Sequence, residues 1–327
     1  MKAVGVTRFG GPEVLHVIDL PAPDAGPGEL RIRVHAAAVN ATDTVVRSGA
    51  PFVIPPTSRP PYVPGMDAAG VLEQIGAGVD TDLRIGEHVM AVVVPSETHG
   101  AYAEHIVVPA ESVARVPAGA TDAEAASLPM NGLTARLALD TLDLAPGATI
   151  AVTGAAGAVG GYVVQLAKAD GLRVVADAAP QDEPLVKELG ADIVLPRGPE
   201  FPEQVRAAVP DGVDGLVDGA LLDRPAARAV RDGGRIATLR GFEGTWERGV
   251  TFQPVWVARY ARQRAKLDRL RQQVEDGRVA LRVARILPAE QAAEAHRLLE
   301  AGGVRGRLIL TFRPGHDRAL GATDSNG

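Results

Sequence analysis

Glycine recurs at 154, 157 and 160, directly after the apolar run Thr149–Val152 and directly before Val163, Val164, Leu166 and Ala167, which fall on a helical period. The chemistry open to such a strand, turn and helix is anion binding. Glycine lets a backbone approach closely, and a helix N-terminus aims unpaired N–H groups at a phosphate. Gly154, Ala155, Ala156, Gly157, Ala158, Val159 and Gly160 are the candidate cradle for a dinucleotide pyrophosphate. Asp177 ends the next apolar run, about twenty residues on, where a carboxylate can accept from a ribose 2′-hydroxyl. The same residue can equally be a turn acid, and both roles stay open. Asp182 and Glu183 follow with no basic residue before Lys187, so a 2′-phosphate would depend on Arg197 or Arg240 for counter-charge. On the residues alone this favours NAD.

Other chemistries are excluded or unsupported. The 327 residues contain no cysteine, which removes disulfides, thiol catalysis and thiolate-ligated zinc. The seven His include no pair at metal-ligand spacing, so no metal is expected. A net charge of −6 argues against nucleic acid as a partner. No apolar run approaches the roughly 18 residues of a membrane span, and no signal-peptide pattern opens the chain. The expected compartment is the cytoplasm and the expected partner a small molecule. His99 and His105 flank Tyr102 and could donate protons near neutral pH, although packing or plain exposure explains them as well. The arginines at 259, 262, 264, 269 and 271 read as a solvated face balanced by Asp268, Glu275 and Asp276.

The elements that position these residues fall into two textures. Short strands with Pro and Gly punctuation occupy the first third: Met1–Gly5, Leu15–Leu20, Leu30–Ala38, a strand after Gly70, another after Gly86, and Ala101–Val108. A helix after Asn40 has Thr42 or Asp43 as its cap. From Thr121, where Thr121-Asp122-Ala123-Glu124 matches a capping box, helices alternate with apolar strands at Thr149–Val152, Arg173–Ala176, Ile193–Leu195, Gly215–Val217 and Arg235–Leu239. That is the pattern of a doubly wound parallel sheet, an α/β fold. An amphipathic helix over Val255–Glu275, a helix over Ala289–Ala301 and a strand at Arg307–Thr311 follow, and the polar stretch 313–327 reads as a flexible tail.

Asn40–Asp43 with Arg47-Ser48-Gly49, Pro64-Gly65-Met66-Asp67-Ala68-Ala69-Gly70, Gly86-Glu87-His88-Val89, Gly132-Leu133-Thr134-Ala135, the 154–160 turn, Glu188–Asp192, Gly233-Gly234-Arg235 and Gly303–Leu310 stand in one order along residues 1–312. In these motifs the chain resembles the medium-chain dehydrogenase/reductases, and within them the zinc-free quinone oxidoreductases of the zeta-crystallin-like branch. The resemblance implies a discontinuous GroES-like β-rich catalytic domain (1–121 and 264–312) and a Rossmann domain (122–263). It implies NADP as cofactor, against the NAD suggested by Asp177, and a homodimer paired through an edge near Thr245–Phe252. The activity it implies is NAD(P)H-dependent reduction of a quinone or α,β-unsaturated carbonyl. A pathway-specific enoyl or ketone reductase and a non-catalytic NAD(P)H-binding protein are the alternatives.

The resemblance also assigns the remaining site residues. Asn40, Met66 and Met130 occupy the three positions where zinc-dependent relatives hold their catalytic metal, and an amide with two thioethers cannot replace thiolate and imidazole. Asn40 should instead bond a substrate oxygen, or else cap its helix. Thr134 matches a residue that contacts the nicotinamide carboxamide, and its alternative is a bond back to its own helix. Asp43 and Asp67 match supporting acids. Gly219, Leu239 and Gly241 are expected at the cofactor. Val45 stands where several relatives carry a tyrosine, so solvent can serve as proton donor, and the loop supplies Phe52 and Tyr62 to the substrate pocket.

Overall fold

A computed structural model describes residues 1–49 and 59–312. Phe52 and the 313–327 tail therefore lie outside the described residues. Among these residues no helix is long and apolar enough to cross a membrane. The chain divides into two compact units. One comprises Met1–Met130, Ala261–Glu275 and the chain from Leu281; the other comprises Asn131–Tyr260 and Asp276–Ala280.

The first unit opens with the hairpin of β1 (Lys2–Gly5) and β2 (His16–Asp19), then β3 (Glu29–Ala38), helix α1 (Ala41–Ser48), β4 (Asp67–Ile75), β5 (His88–Val92), β6 (His105–Pro109), β7 (Val113–Arg115) and the short α2 (Asp122–Ala126). Strand β3 shows why this is a half-buried antiparallel sheet. Leu30, Ile32 and Val34 point into the core, while Arg31 and Arg33 alternate outward towards Glu73 of β4. The ladder of β3 on β4 is broken between Val34 and Ala36, so His35 is the extra residue of a β-bulge. Gly70 lies opposite: a Cβ there would stand 2.0 Å from the Arg33 carbonyl oxygen and 2.9 Å from the His35 nitrogen. The bulge thus explains the glycine.

The second unit follows with α3 (Pro129–Leu142, whose first two residues group with the first unit), β8 (Thr149–Thr153), α4 (Ala158–Ala169), β9 (Arg173–Ala178), α5 (Glu183–Glu188), β10 (Ile193–Pro196), α6 (Phe201–Ala208), β11 (Val213–Asp218), β12 (Val230–Thr238), β13 (Gly244–Thr245) and β14 (Thr251–Pro254). The sheet order is β10-β9-β8-β11-β12-β14-β13, parallel throughout except for β13, which forms the outer edge. Strands buried on both faces read as continuous apolar runs, as Ile150–Val152 and Val174–Ala176 do. The order reverses between β8 and β11, and in such sheets ligands bind at that switch point.

The chain then returns to the first unit through α7 (Arg264–Glu275), β15 (Val283–Pro288), α8 (Ala292–Ala301) and β16 (Arg307–Thr311). Strand β16 pairs with both β15 and β3.

Several boundaries differ from the sequence expectation. Helix α7 begins at Arg264, not at Val255, because the Val255 N–H still bonds the Thr238 carbonyl and the chain leaves β14 extended. The strand expected from Ala101 starts at His105, since Ala101 and Tyr102 bond to the carbonyls of Gly65 and Pro64. Helix α8 starts three residues late, after a single 3-10 turn. Helix α1 is preceded by Asn40 at the N-cap, which puts Asp43 at the third helical position instead of the cap. Replacing Gly70 with Ala drives a methyl into backbone and should destabilise the protein by about 1–3 kcal/mol, read as a lower denaturation midpoint in urea; an unchanged midpoint would mean the bulge shifts freely.

Candidate functional site

Gly154 leaves β8 with φ of +69°, a conformation costly for any residue with a Cβ. Its backbone stands against Gly219, which follows β11 across the switch point: a Cβ on Gly154 would lie 3.1 Å from the Gly219 carbonyl group, and one on Gly219 would lie 2.6 Å from the Thr153 oxygen. A Cβ on Gly160 would meet the Gly154 oxygen at 2.2 Å. Each glycine therefore serves close backbone packing. Gly157 is the N-cap of α4, and the first-turn N–H groups of Ala158, Val159 and Gly160 have no intrahelical acceptor. The residues fit a dinucleotide pyrophosphate.

Asp177 is 4% exposed, and its carboxylate accepts from the Ala155 N–H at 2.9 Å and also from that of Gly154. Burial raises its carboxyl pKa against those bonds and the nearby charge of Arg197. Of the two roles open to it, the structure places it as a brace of the glycine turn. Arg197 is exposed just after β10, its N–H on the Ala178 carbonyl at the end of β9.

Asp218 was not singled out by sequence, yet it braces the opposite loop. It accepts from the Thr153 hydroxyl at 2.8 Å and from the N–H groups of Leu222 and Asp223 at 3.1 and 2.8 Å. That loop holds two non-glycine residues at positive φ, Leu221 and Asp223, a strain that tends to collect at functional sites. Leu239 and Gly241 follow β12, with Gly241 at φ +82° beside Trp256. Thr134 is buried on α3.

The other candidates belong to the first unit, where a buried polar cluster surrounds Asn40. Its side-chain Oδ1 accepts from Arg307 Nη2 at 2.8 Å, and its Nδ2 donates to Asp67 Oδ2 at 2.8 Å. Arginine only donates and a carboxylate only accepts, so these partners fix the amide orientation. Arg307 also pairs with Asp67 at 3.1 Å, with side chains 5% and 0% exposed. Asp67 further accepts from the Met130 N–H. Burial pushes the Asp67 carboxyl up, against the pull of Arg307, Asn40 and Met130.

A second chain of bonds meets Asn40 from behind. Asp43 accepts from the Asn40 N–H at 2.8 Å, the Gly65 N–H at 3.0 Å and the Tyr102 hydroxyl at 3.0 Å. Burial raises its carboxyl to about 6 in spite of these donors. Tyr102 lies 3.3 Å from His296 Nε2, whose Nδ1 lies 3.3 Å from Arg47 Nη1. Since arginine can only donate, Nδ1 accepts and the neutral ring carries its proton on Nε2, directed at the Tyr102 oxygen. Arg47 is anchored by Glu300 at 2.5 Å and the Gly10 carbonyl at 3.1 Å. The donors thus run one way: Arg47, His296, Tyr102, Asp43.

Asn40, Met66 and Met130 do not fit a zinc ion. The one amide oxygen already faces a guanidinium, and thioethers are poor zinc donors. Tyr62, expected at the substrate pocket, is 5% exposed in the apolar core with its ring stacked on Phe9 at 5.1 Å. Arg307, Tyr102 and His296 were missed as site residues. They come from a strand, a helix and the loop before β6, and no local spacing marks them.

His296 gives the network a testable pH dependence. Burial and the Arg47 charge lower its pKa to about 3, against about 6.5 in an unfolded chain. Below pH 6.5 the unfolded state takes up a proton that the folded state refuses, so this contribution is intact above 6.5 and lost as pH falls towards 3. Gln at position 296 can accept from Arg47 and donate to Tyr102 without titrating. Between pH 7.5 and 4.5 the native protein should lose about 2–3 kcal/mol relative to His296→Gln, measured by urea denaturation. A constant difference would mean that folding leaves the His296 pKa unshifted.

Comparison with known proteins agrees with this geometry. The chain matches the alcohol dehydrogenase GroES-like domain over residues 26–118 and the family described as zinc-binding dehydrogenase over residues 189–310. It is 28% identical over 331 residues to a quinone oxidoreductase of Sus scrofa, covering 95% of this chain and 97% of that protein. It is 32% identical over 250 residues to an NADPH-dependent alkenal/one oxidoreductase of Arabidopsis thaliana, covering 74% of this chain and 63% of that one. Among solved structures, an NAD-dependent alcohol dehydrogenase superposes with a TM-score of 0.85 at 34% identity, over 96% of this chain and 100% of the other. The chain belongs to the medium-chain dehydrogenase/reductase superfamily.

Proposed function

We propose that this protein is a zinc-independent, NADPH-preferring oxidoreductase that reduces a quinone or an α,β-unsaturated carbonyl. The observation that carries the reading is the Asn40 cluster: the amide at one of the three positions where zinc-dependent relatives hold their metal is engaged by the Arg307 guanidinium and the Asp67 carboxylate, and the other two positions carry thioethers. When bound, the reduced nicotinamide supplies a hydride to the substrate, leaving negative charge on the substrate oxygen. Asn40 has one amide proton in a short bond to Asp67, while the other faces only the Ala38 carbonyl at 3.4 Å. That second proton is the donor for the developing oxyanion. Asp67 and Arg307 hold the amide in place, Asp43 holds its backbone, and solvent supplies the proton that completes reduction. Thr134 is assigned to the nicotinamide carboxamide and the 154–160 turn to the pyrophosphate.

The preference for NADPH rests on Arg197, exposed at the neighbouring strand end, which offers counter-charge to a 2′-phosphate. NADPH dependence in the name of the Arabidopsis relative supports the same choice, whereas the name of the superposed alcohol dehydrogenase points to NAD. Steady-state assays with quinones and enones, each with NADPH and NADH, test the proposal. Turnover should be faster with NADPH, Arg197→Glu should raise its KM about tenfold while sparing NADH, and Asn40→Ala should lower kcat about a hundredfold. Failure to turn over any quinone or enone would overturn the function, and tighter use of NADH would overturn the cofactor assignment.

A further inference from the structure

Three residues far apart in sequence meet on the outer face of the first unit's sheet. His35 Nδ1 lies 2.7 Å from Asp122 Oδ2, and His88 Nδ1 lies 2.9 and 3.1 Å from Asp122 Oδ1 and Oδ2. Their ligand atoms all fall within 4.8 Å of one another, the one such His/Asp/Glu group among the described residues. The two rings stand edge to face at 5.8 Å. We propose that His35, His88 and Asp122 form a binding site for a divalent late-transition ion of the zinc type, separate from the Asn40 cluster.

The elements fix the three side chains before any ion arrives. His35 is the extra residue of the β3 bulge, a device that re-aims a side chain. His88 opens β5, paired with Val71 of β4, which itself lies beside β3. Asp122 is the first residue of α2, held by the Thr121–Glu124 capping box, in which Thr121 N–H donates to Glu124 at 2.8 Å and Glu124 N–H to Thr121 at 3.2 Å. Imidazole and carboxylate at these distances match what zinc accepts, with metal–ligand lengths of about 2.0–2.2 Å after a small outward shift. His88 is half exposed, which leaves water access to the remaining coordination position. The two Nδ1 atoms already converge on the Asp122 carboxylate, and an ion bound there would displace the protons those bonds carry.

The supporting shell is thin, since His35 Nε2 is buried with no hydrogen-bond partner. Such outer bonds are worth about tenfold to a hundredfold in affinity, so binding weaker than at a fully supported zinc site is expected. An ion here would tie α2 to two strands and raise stability by binding only the folded state. Sequence spacing gave no sign of the site, because its ligands come from two strands and a helix instead of one turn.

The test is titration of tag-free, EDTA-treated and dialysed protein with zinc chloride by calorimetry, with thermal denaturation in parallel. One equivalent should bind below millimolar zinc and raise Tm, and His88→Gln and Asp122→Asn should each weaken binding more than tenfold. His88→Gln alters a half-exposed side chain, and an unchanged metal-free Tm will show that it folds. Anomalous scattering at the zinc edge should place the ion on the two Nδ1 atoms. No binding up to millimolar zinc, or equal binding by wild type and both variants, would overturn the site. NADPH binding by fluorescence reads the proposed activity independently of either result.

Discussion

A guanidinium buried among an amide and a carboxylate is the constraint on which the first unit depends. Arg307 and Asp67 are both withdrawn from water, and such pairs are costly to desolvate. What holds the arrangement is shared bonding: Asp67 also accepts from Asn40 and the Met130 N–H, and Asn40 also accepts from Arg307, while Arg307 Nε is buried without a partner. Removing one partner of a buried pair typically costs about 3–5 kcal/mol, because the other charge is stranded. Arg307 is the first residue of β16, so that strand must join β3 before the cluster can form. The last strand of the fold thereby sets the orientation of an amide near its beginning.

The second unit uses the same physics on backbone. Asp177 and Asp218 are buried carboxylates that satisfy N–H groups of the two loops at the switch point. Each loop would otherwise leave donors unpaired away from water, at about 1–3 kcal/mol per group. With the loops so braced, glycines at 154, 160 and 219 can pack backbone against backbone. The result is a braced edge at which the N-terminus of α4 leaves its first N–H groups open, as the proposed pyrophosphate site requires.

How much of this was legible in the sequence follows from which features are local. The glycine turn, the capping box at Thr121 and the alternating β3 strand are written in consecutive residues, and each stands where periodicity and turn chemistry put it. The roles proposed for Asn40 and Asp67 come from family resemblance, not from local spacing. Arg307, Tyr102 and His296 were invisible because long-range pairing assembles their network. Asp177 shows a subtler limit: the spacing placed a carboxylate correctly at a strand end, but the direction of its side chain decides whether it meets ribose or backbone. The misplaced start of α7 has a similar origin, since an amphipathic pattern does not reveal that a strand's pairing runs on to Val255.

The proposed reaction depends on the amide of Asn40, held by Arg307 and Asp67, and on no metal at positions 40, 66 and 130. The most direct measurement is kcat for a quinone or enone with NADPH, before and after exhaustive chelation, with zinc content quantified in the same samples. Unchanged kcat in metal-depleted protein is the predicted result. Loss of activity on chelation, restored by stoichiometric zinc, would contradict it.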